Sequence, residues 1–223
     1  MKKVILALAL LFAGTCFAHA QEINELPMYG AKQKTPDQVK ADNDFVAWAV
    51  RQFGTREKAS DDAVRRGFQF LAKADWRMAM KRFNQAWLLL PDKPEVIWGF
   101  GAALSYQGKF EESESYFQKA LVLVPNNGHL LTDFGFLYQF WATKGTKDKT
   151  QRTKRLDRSI ELFDQASRLE PSYDRSYFDL AVSLFFKQDY KGAWEKISEA
   201  EKLGGKSIDQ KFISDLSKKM PRP

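Results

Sequence analysis

Side chains that commonly carry catalysis or bind metals are scarce in this chain. The 223 residues contain one cysteine, Cys16, and two histidines, His19 and His129. Zinc and copper sites draw mainly on Cys and His, and nucleophilic catalysis often pairs Ser or Cys with His. No spacing of Ser, Thr, Asp or Glu indicates another catalytic site. The sequence therefore predicts a protein that is not an enzyme, with no small-molecule substrate, no cofactor and no metal ion.

The first twenty residues have the organisation of a secretory signal peptide. Lys2 and Lys3 precede an apolar run over residues 4–12, and an A-x-A motif at residues 18–20 stands before Gln21. A transmembrane anchor is the alternative, but the run is shorter than the roughly 20 apolar residues that a bilayer core requires. We expect residues 1–20 to be cleaved and the protein to be secreted across the inner membrane into the periplasm.

Cleavage would also remove Cys16 and His19, leaving His129 as the single histidine. No disulfide could then form, so packing would have to supply the stability of the exported chain. Lipoprotein anchoring at Cys16 is a less favoured alternative, because Thr15 stands where a lipobox has Gly, Ala or Ser.

Positive charge is concentrated in one short segment. Without Lys2 and Lys3, 33 of the 35 basic residues remain against 28 acidic ones. Residues 144–155 contain six cations against Asp148 alone: Lys144, Lys147, Lys149, Arg152, Lys154 and Arg155. This polar segment is predicted to be an exposed loop that either aids solubility or touches an anionic envelope surface. No aromatic residue lies within it, so nucleic acid is not expected as a partner.

Small, aromatic and proline residues recur at a fixed interval along the chain. The interval is 34 residues for the first members of each series and 46 residues where the basic segment intervenes. The series are Gly67, Gly101, Gly135; Phe83, Phe117, Phe163; Ala86, Ala120, Ala166, Ala200; and Pro91, Pro125, Pro171. A period of about 34 with these landmarks resembles the tetratricopeptide repeat, in which each unit is a pair of helices.

The resemblance implies an all-α fold, a solenoid of antiparallel helix pairs with a C-terminal capping helix. Four repeats are predicted over 60–93, 94–127, 128–173 and 174–205, with residues 144–155 inserted in the third. An extended arm is predicted over 21–36, a helix and linker over 37–59, and the capping helix and a frayed tail over 206–223. The helix within 37–59 could cap the stack or occupy its groove.

In this family the first helix of each repeat lines a concave face that binds ligands. The resemblance therefore implies a partner-binding set of Phe68, Trp98, Tyr106, His129, Phe136, Phe140, Arg175 and Phe178. Family members that clamp a C-terminal carboxylate have asparagines where this chain has Phe68, Ala102 and Phe136, so that role is not expected. Exposed aromatic clusters are typical of binding hot spots, although some of these rings could pack between repeats instead.

Two functions follow as expectations. The first is an exported scaffold that binds a protein or peptide in the concave aromatic groove. The second is a structural subunit of a cell-envelope assembly that contacts an anionic surface through the basic segment. The sequence does not identify the partner, the pathway or the oligomeric state.

Overall fold

The computed structural model describes residues 23–223, so the predicted signal peptide, with Cys16 and His19, lies outside the described residues. Within 23–223 the chain forms ten α-helices and no strand. The helices are α1 Pro36–Phe53, α2 Arg56–Leu71, α3 Trp76–Leu89, α4 Pro94–Tyr106, α5 Phe110–Leu123, α6 Gly128–Phe140, α7 Lys149–Leu169, α8 Asp174–Phe186, α9 Tyr190–Lys202 and α10 Gln210–Lys219.

Four antiparallel helix pairs stack into the predicted solenoid. The pairs are α2–α3, α4–α5, α6–α7 and α8–α9. The second helix of each pair packs against the first helix of the next, as α3 does on α4 and α7 on α8. The first helices α2, α4, α6 and α8 also pack on one another, so they form one continuous face of the stack.

Helix starts are set by side chains that accept the otherwise unpaired backbone N–H groups of a first turn. Thr55 caps α2, Asp75 caps α3 and Asn127 caps α6, each accepting from the backbone N–H three residues on. The Thr55 cap starts α2 at Arg56, one turn before the predicted start of the first repeat at residue 60. Between α4 and α5, Gly108 takes a φ of 75°, which only glycine adopts without strain.

The rings of the landmark phenylalanines pack into the space that glycines leave open by having no side chain. A Cβ on Gly67 would lie 2.5 Å from the Phe83 ring, and a Cβ on Gly99 would lie 2.3 Å from it. Phe83 is fully buried, so its ring occupies the space that both glycines leave open, within its own repeat and in the next. Gly135 and Phe163 repeat the arrangement in the third unit, at 2.7 Å.

Helix α1 caps the N-terminal end of the stack and does not enter the groove. Its Ala49 is buried against Ala59 of α2 and Leu89 of α3. Phe45 and Phe53 pack around this contact from the same face of α1.

The arm before α1 is not extended, contrary to the prediction. Ile23–Glu25 and Pro27–Ala31 are two short 3₁₀ turns, and Pro27 is buried. The buried Asn84 side chain of α3 donates to the backbone oxygen of Leu26 at 2.9 Å and accepts from the Tyr29 N–H at 3.4 Å. The prediction missed these turns because the arm has no hydrophobic period, and its conformation depends on α3.

The basic segment is mostly helical rather than a loop. Trp141–Gly145 forms a π-helical turn that extends α6, and α7 begins at Lys149 with Asp148 as its cap. Arg155 lies with its guanidinium 3.9 Å from the Trp141 ring centroid, which fixes the start of α7 against the turn.

The C-terminal helix closes the other end of the stack, as predicted. Phe212 of α10 contacts Phe178, and Leu216 is fully buried. Two contacts connect the end of the chain to α9, although residues 221–223 are exposed and form no secondary structure. The Trp194 indole N–H donates to the Met220 backbone oxygen at 3.0 Å, and Arg222 pairs with Glu201 at 2.5 Å.

The contact between Gly67 and Phe83 can be tested with a matched pair of substitutions. Gly67→Ala should lower the free energy of unfolding by about 2 kcal/mol, because overpacking outweighs the roughly 1 kcal/mol gain in helix propensity. Gly101→Ala occupies the same position one repeat later, but its Cβ would lie 3.1 Å from the Phe117 ring. It should change stability by less than about 1 kcal/mol. Urea titrations followed by circular dichroism measure both; equal stability of the parent and Gly67→Ala would contradict this packing.

Candidate functional site

The continuous face of first helices contains an open cavity of about 370 Å³. Residues of α2, α4, α6 and α8 line it, together with residues from the turns between repeats. They are Phe68, Leu71, Ala72, Glu95, Trp98, Ala102, Ser105, Tyr106, Asn127, His129, Asp133, Phe136, Tyr173 and Arg175. We call this cavity the concave groove.

The structure brings six of the eight predicted partner-binding residues together in the concave groove: Phe68, Trp98, Tyr106, His129, Phe136 and Arg175. The other two, Phe140 and Phe178, do not line the groove. Phe140 stacks on Phe136 with ring centroids 5.9 Å apart, and Phe178 packs against α10.

The aromatic rings of the groove contact one another across helix boundaries. Phe68 of α2 lies 4.7 Å from Trp98 of α4, and Tyr106 of α4 lies 5.9 Å from Phe136 of α6, between ring centroids. All four side chains are half-buried. Each ring therefore packs against a ring of the neighbouring repeat and still presents part of its surface to the groove. Packing between repeats and exposure in the groove apply to these aromatic residues together.

A chain of polar contacts lies beneath the rings. The Trp98 indole N–H donates to Asp133 Oδ2 at 3.0 Å. Arg175 donates from Nε to Asp179 Oδ2 at 3.1 Å, and its Nη2 lies 4.0 Å from Asp133 Oδ1. The same guanidinium lies 5.9 Å from the Phe136 ring centroid. Two carboxylates thus hold one guanidinium in the floor of the groove.

Burial dominates the protonation of these carboxyl groups. It raises the pKa of Asp133 above its usual range, although Arg175 and the Trp98 hydrogen bond oppose the shift. Burial also raises the pKa of Asp179 to about 6, again against the opposing effect of Arg175. The charge of the groove floor therefore changes within the mildly acidic range.

His129 has an internal acidic partner. Its Nε2 lies 2.8 Å from Glu170 Oε2, and the Glu170 Oε1 accepts the Gly128 N–H at 3.1 Å. Its ring lies 4.1 Å from that of Tyr173, in an edge-to-face arrangement. These contacts join the start of α6 to the end of α7 and to the turn before α8, at the rim of the groove.

Comparison with solved structures supports the same architecture. A thermophilic TPR protein from Thermus thermophilus superimposes with a TM-score of 0.65 at 15% identity, covering 73% of this chain and 84% of that one. This chain has the tetratricopeptide-repeat fold. MamA from Desulfovibrio magneticus gives a TM-score of 0.49 at 16% identity over 79% of this chain and all of that one. No family model and no curated protein sequence matches the chain.

In this tetratricopeptide-repeat fold, some of the lining residues that were not predicted come from the turns between helix pairs, and others lie in the first helices. Asn127 and Tyr173 precede α6 and α8, and Glu95 lies in the first turn of α4. The predicted partner-binding set was drawn only from within the first helices, so it excluded the residues just before them. Asn127 and Tyr173 each lie two residues after a landmark proline, and that shared position was the signal available in the sequence.

The basic segment lies apart from the concave groove, and it leaves several cations exposed. Lys144, Lys147, Lys149 and Lys154 are exposed, whereas Arg152 and Arg155 are half-buried. Within residues 23–223, none of the four lysines pairs with a carboxylate.

Metal-binding clusters and membrane spans are both absent from the part of the chain that the structure describes. Over residues 23–223, no group of three or more His, Cys, Asp or Glu side chains is arranged to hold a metal ion. No helix in this range is long and apolar enough to cross a membrane.

The raised pKa of Asp179 makes a specific contribution to pH-dependent stability. The folded state binds its proton more tightly than the unfolded chain, so this contribution is complete below about pH 4 and is lost as the pH rises through about 6. Between pH 4 and pH 7 it should amount to about 2–3 kcal/mol.

We expect Asp179→Asn to flatten the pH dependence of the unfolding free energy over this range, as measured by urea titration at several pH values. Asp157→Asn serves as the control, because Asp157 is exposed and forms its ion pair with Lys187 at the surface. Identical pH profiles for the parent and Asp179→Asn would contradict the assignment.

Proposed function

We propose that the protein is an exported, non-enzymatic scaffold that binds a protein or peptide segment in the concave groove. The observation that carries this proposal is the row of half-buried rings from Phe68 through Trp98 and Tyr106 to Phe136. Large apolar rings that remain partly exposed bury further surface when a partner covers them, which favours association.

The polar floor of the groove supports selective binding. Trp98, Asp133 and Arg175 hold one another in place, so the groove needs little ordering when a partner binds. Side chains that pair with each other before binding also disfavour partners that would leave them without a replacement contact.

The size and openness of the groove suit a chain segment. At about 370 Å³, it can take a few side chains of a peptide whose backbone runs along the stack. Phe68, Ala102 and Phe136 make its wall apolar at the positions where a carboxylate clamp would need amides. We therefore expect recognition through internal apolar or aromatic side chains rather than through a C-terminal carboxylate.

The groove can be tested by capturing partners from a cell-envelope fraction. Trp98→Ala/Phe136→Ala should lose the captured protein because the double substitution removes two of the exposed ring surfaces. Phe186→Ala is the matched control, since Phe186 is a 40% exposed aromatic residue of α8 outside the groove lining. Circular dichroism melts establish that each variant is folded. Equal capture by the parent and a folded double variant would contradict the proposal.

A second function rests on a separate observation, the unpaired lysines of the basic segment. We infer that Lys144, Lys147, Lys149 and Lys154 hold the protein against an anionic envelope surface as part of an assembly. Each lysine near an anionic membrane contributes roughly 1 kcal/mol of attraction, which salt weakens.

Neutralising the basic segment tests this second function. Lys144→Gln/Lys147→Gln/Lys149→Gln/Lys154→Gln should abolish co-sedimentation with anionic vesicles at low salt. The control removes four exposed lysines elsewhere, Lys73, Lys191, Lys206 and Lys219, and should retain more binding. Equal loss in both variants would attribute binding to overall charge and would count against a role for the segment.

A further inference from the structure

Helix α1 lies where the second helix of a preceding repeat would lie. The first helix of such a repeat is not among residues 23–223. Helix α1 packs on α2 and reaches the end of α3, as α3 packs on α4 and α5 on α6 in the complete repeats. In the complete repeats, the first helix of one repeat also packs on the first helix of the next repeat, as α2 does on α4. Over residues 23–223, no helix takes that place beside α1 and α2.

Beside α1, the N-terminal end of the stack has an open surface. A cavity of about 220 Å³ lies between α1 and the α2–α3 pair, with Phe45, Trp48 and Phe53 along its apolar side. A second cavity, of about 320 Å³, adjoins it and is lined by three arginines, Gln69 and the ring of Phe70. Arg66 and Arg82 line both cavities, so the two form one surface, which we call the N-terminal groove.

The N-terminal groove is apolar on one side and cationic on the other. Trp48 is 48% exposed, an unusual exposure for a large ring at a helix contact. Arg65 and Arg66 share the single carboxylate of Asp62, and Arg82 bonds to the neutral Gln85 side chain. The Arg82 Nε–H is buried with no hydrogen-bond partner among the described residues. Three guanidinium groups therefore face one carboxylate here.

We propose that the N-terminal groove binds an amphipathic helix of a partner protein that has acidic residues along one flank. This helix would lie across α1, α2 and α3 at the end of the stack, with its apolar side on Phe45 and Trp48. Its carboxylates would pair with Arg66 and Arg82, because Arg forms strong, directional bonds to carboxylates.

Charge argues against the chain's own first residues as the occupant. Residues 1–22 contain Lys2, Lys3 and Glu22, so this segment, if uncleaved, has a net positive charge and does not complement the arginines. The proposed site is distinct from the concave groove, and its test does not depend on that function.

Three helical peptides as long as α1, 18 residues, form the probe. They share one stripe of Leu and Phe and differ only in a flank of Glu, Gln or Lys. Fluorescence anisotropy of labelled peptides measures their affinity for the full chain. The Glu peptide should bind at least about tenfold more tightly than the Lys peptide, and added salt should reduce the difference.

Matched variants assign the preference to the groove. Arg66→Gln/Arg82→Gln should abolish the difference between the Glu and Lys peptides, whereas Trp48→Ser should weaken all three by about tenfold. Lys202→Gln/Lys218→Gln removes two charges elsewhere and should leave the affinities unchanged. Arg65→Gln, at a side chain 58% exposed, provides a milder variant that should reduce the preference if the double variant unfolds.

Several results would overturn the proposal. Equal affinities of the three peptides for the parent chain would do so, as would a Glu preference that persists in folded Arg66→Gln/Arg82→Gln. Self-association that Trp48→Ser abolishes would assign the surface to a second copy of the chain. Binding of anionic vesicles that depends on Arg66 and Arg82 and exceeds peptide binding would assign it to lipid.

Discussion

The packing of a phenylalanine ring against glycine sets the spacing on which the rest of the structure depends. Phe83 occupies the space beside Gly67 of its own repeat and Gly99 of the next, so one buried ring fixes the distance between α2, α3 and α4. Phe163 repeats the contact with Gly135. Because close-packed interiors tolerate little change in volume, these contacts determine how near the first helices approach and therefore how their side chains meet.

The concave groove is a consequence of that spacing. Once α2, α4 and α6 stack at a fixed distance, Phe68 contacts Trp98 and Tyr106 contacts Phe136. The resemblance to the tetratricopeptide repeat implied that these four residues share one face. The period could not predict the polar floor. The contact of Arg175 with Asp133 joins residues 42 positions apart in sequence and depends on the position of α8 against α6, which follows the insertion in the third repeat.

Where the sequence prediction failed, local pattern and tertiary context disagree. Residues 149–155 contain no apolar residue and so show no helical period, yet Asp148 caps their first turn and Arg155 covers Trp141. The arm likewise has no period, and its 3₁₀ turns are held by Asn84, which is about 60 residues away in sequence. Both segments take their conformation from partners that no local window contains. The landmark residues were predictable because each acts within its own repeat or the next.

The two ends of the solenoid are finished differently. At the C-terminal end, α10 buries Leu216, and the Met220 carbonyl accepts a hydrogen bond from Trp194. The α8–α9 pair is therefore capped by both apolar packing and a hydrogen bond. At the N-terminal end, α1 covers Ala59 and Leu89, but Trp48 and the arginines beside it stay accessible. A repeat stack needs a polar outer face at each end to remain soluble. The arginines satisfy this need while leaving apolar surface beneath them, so the N-terminal end can remain soluble and still accept another helix.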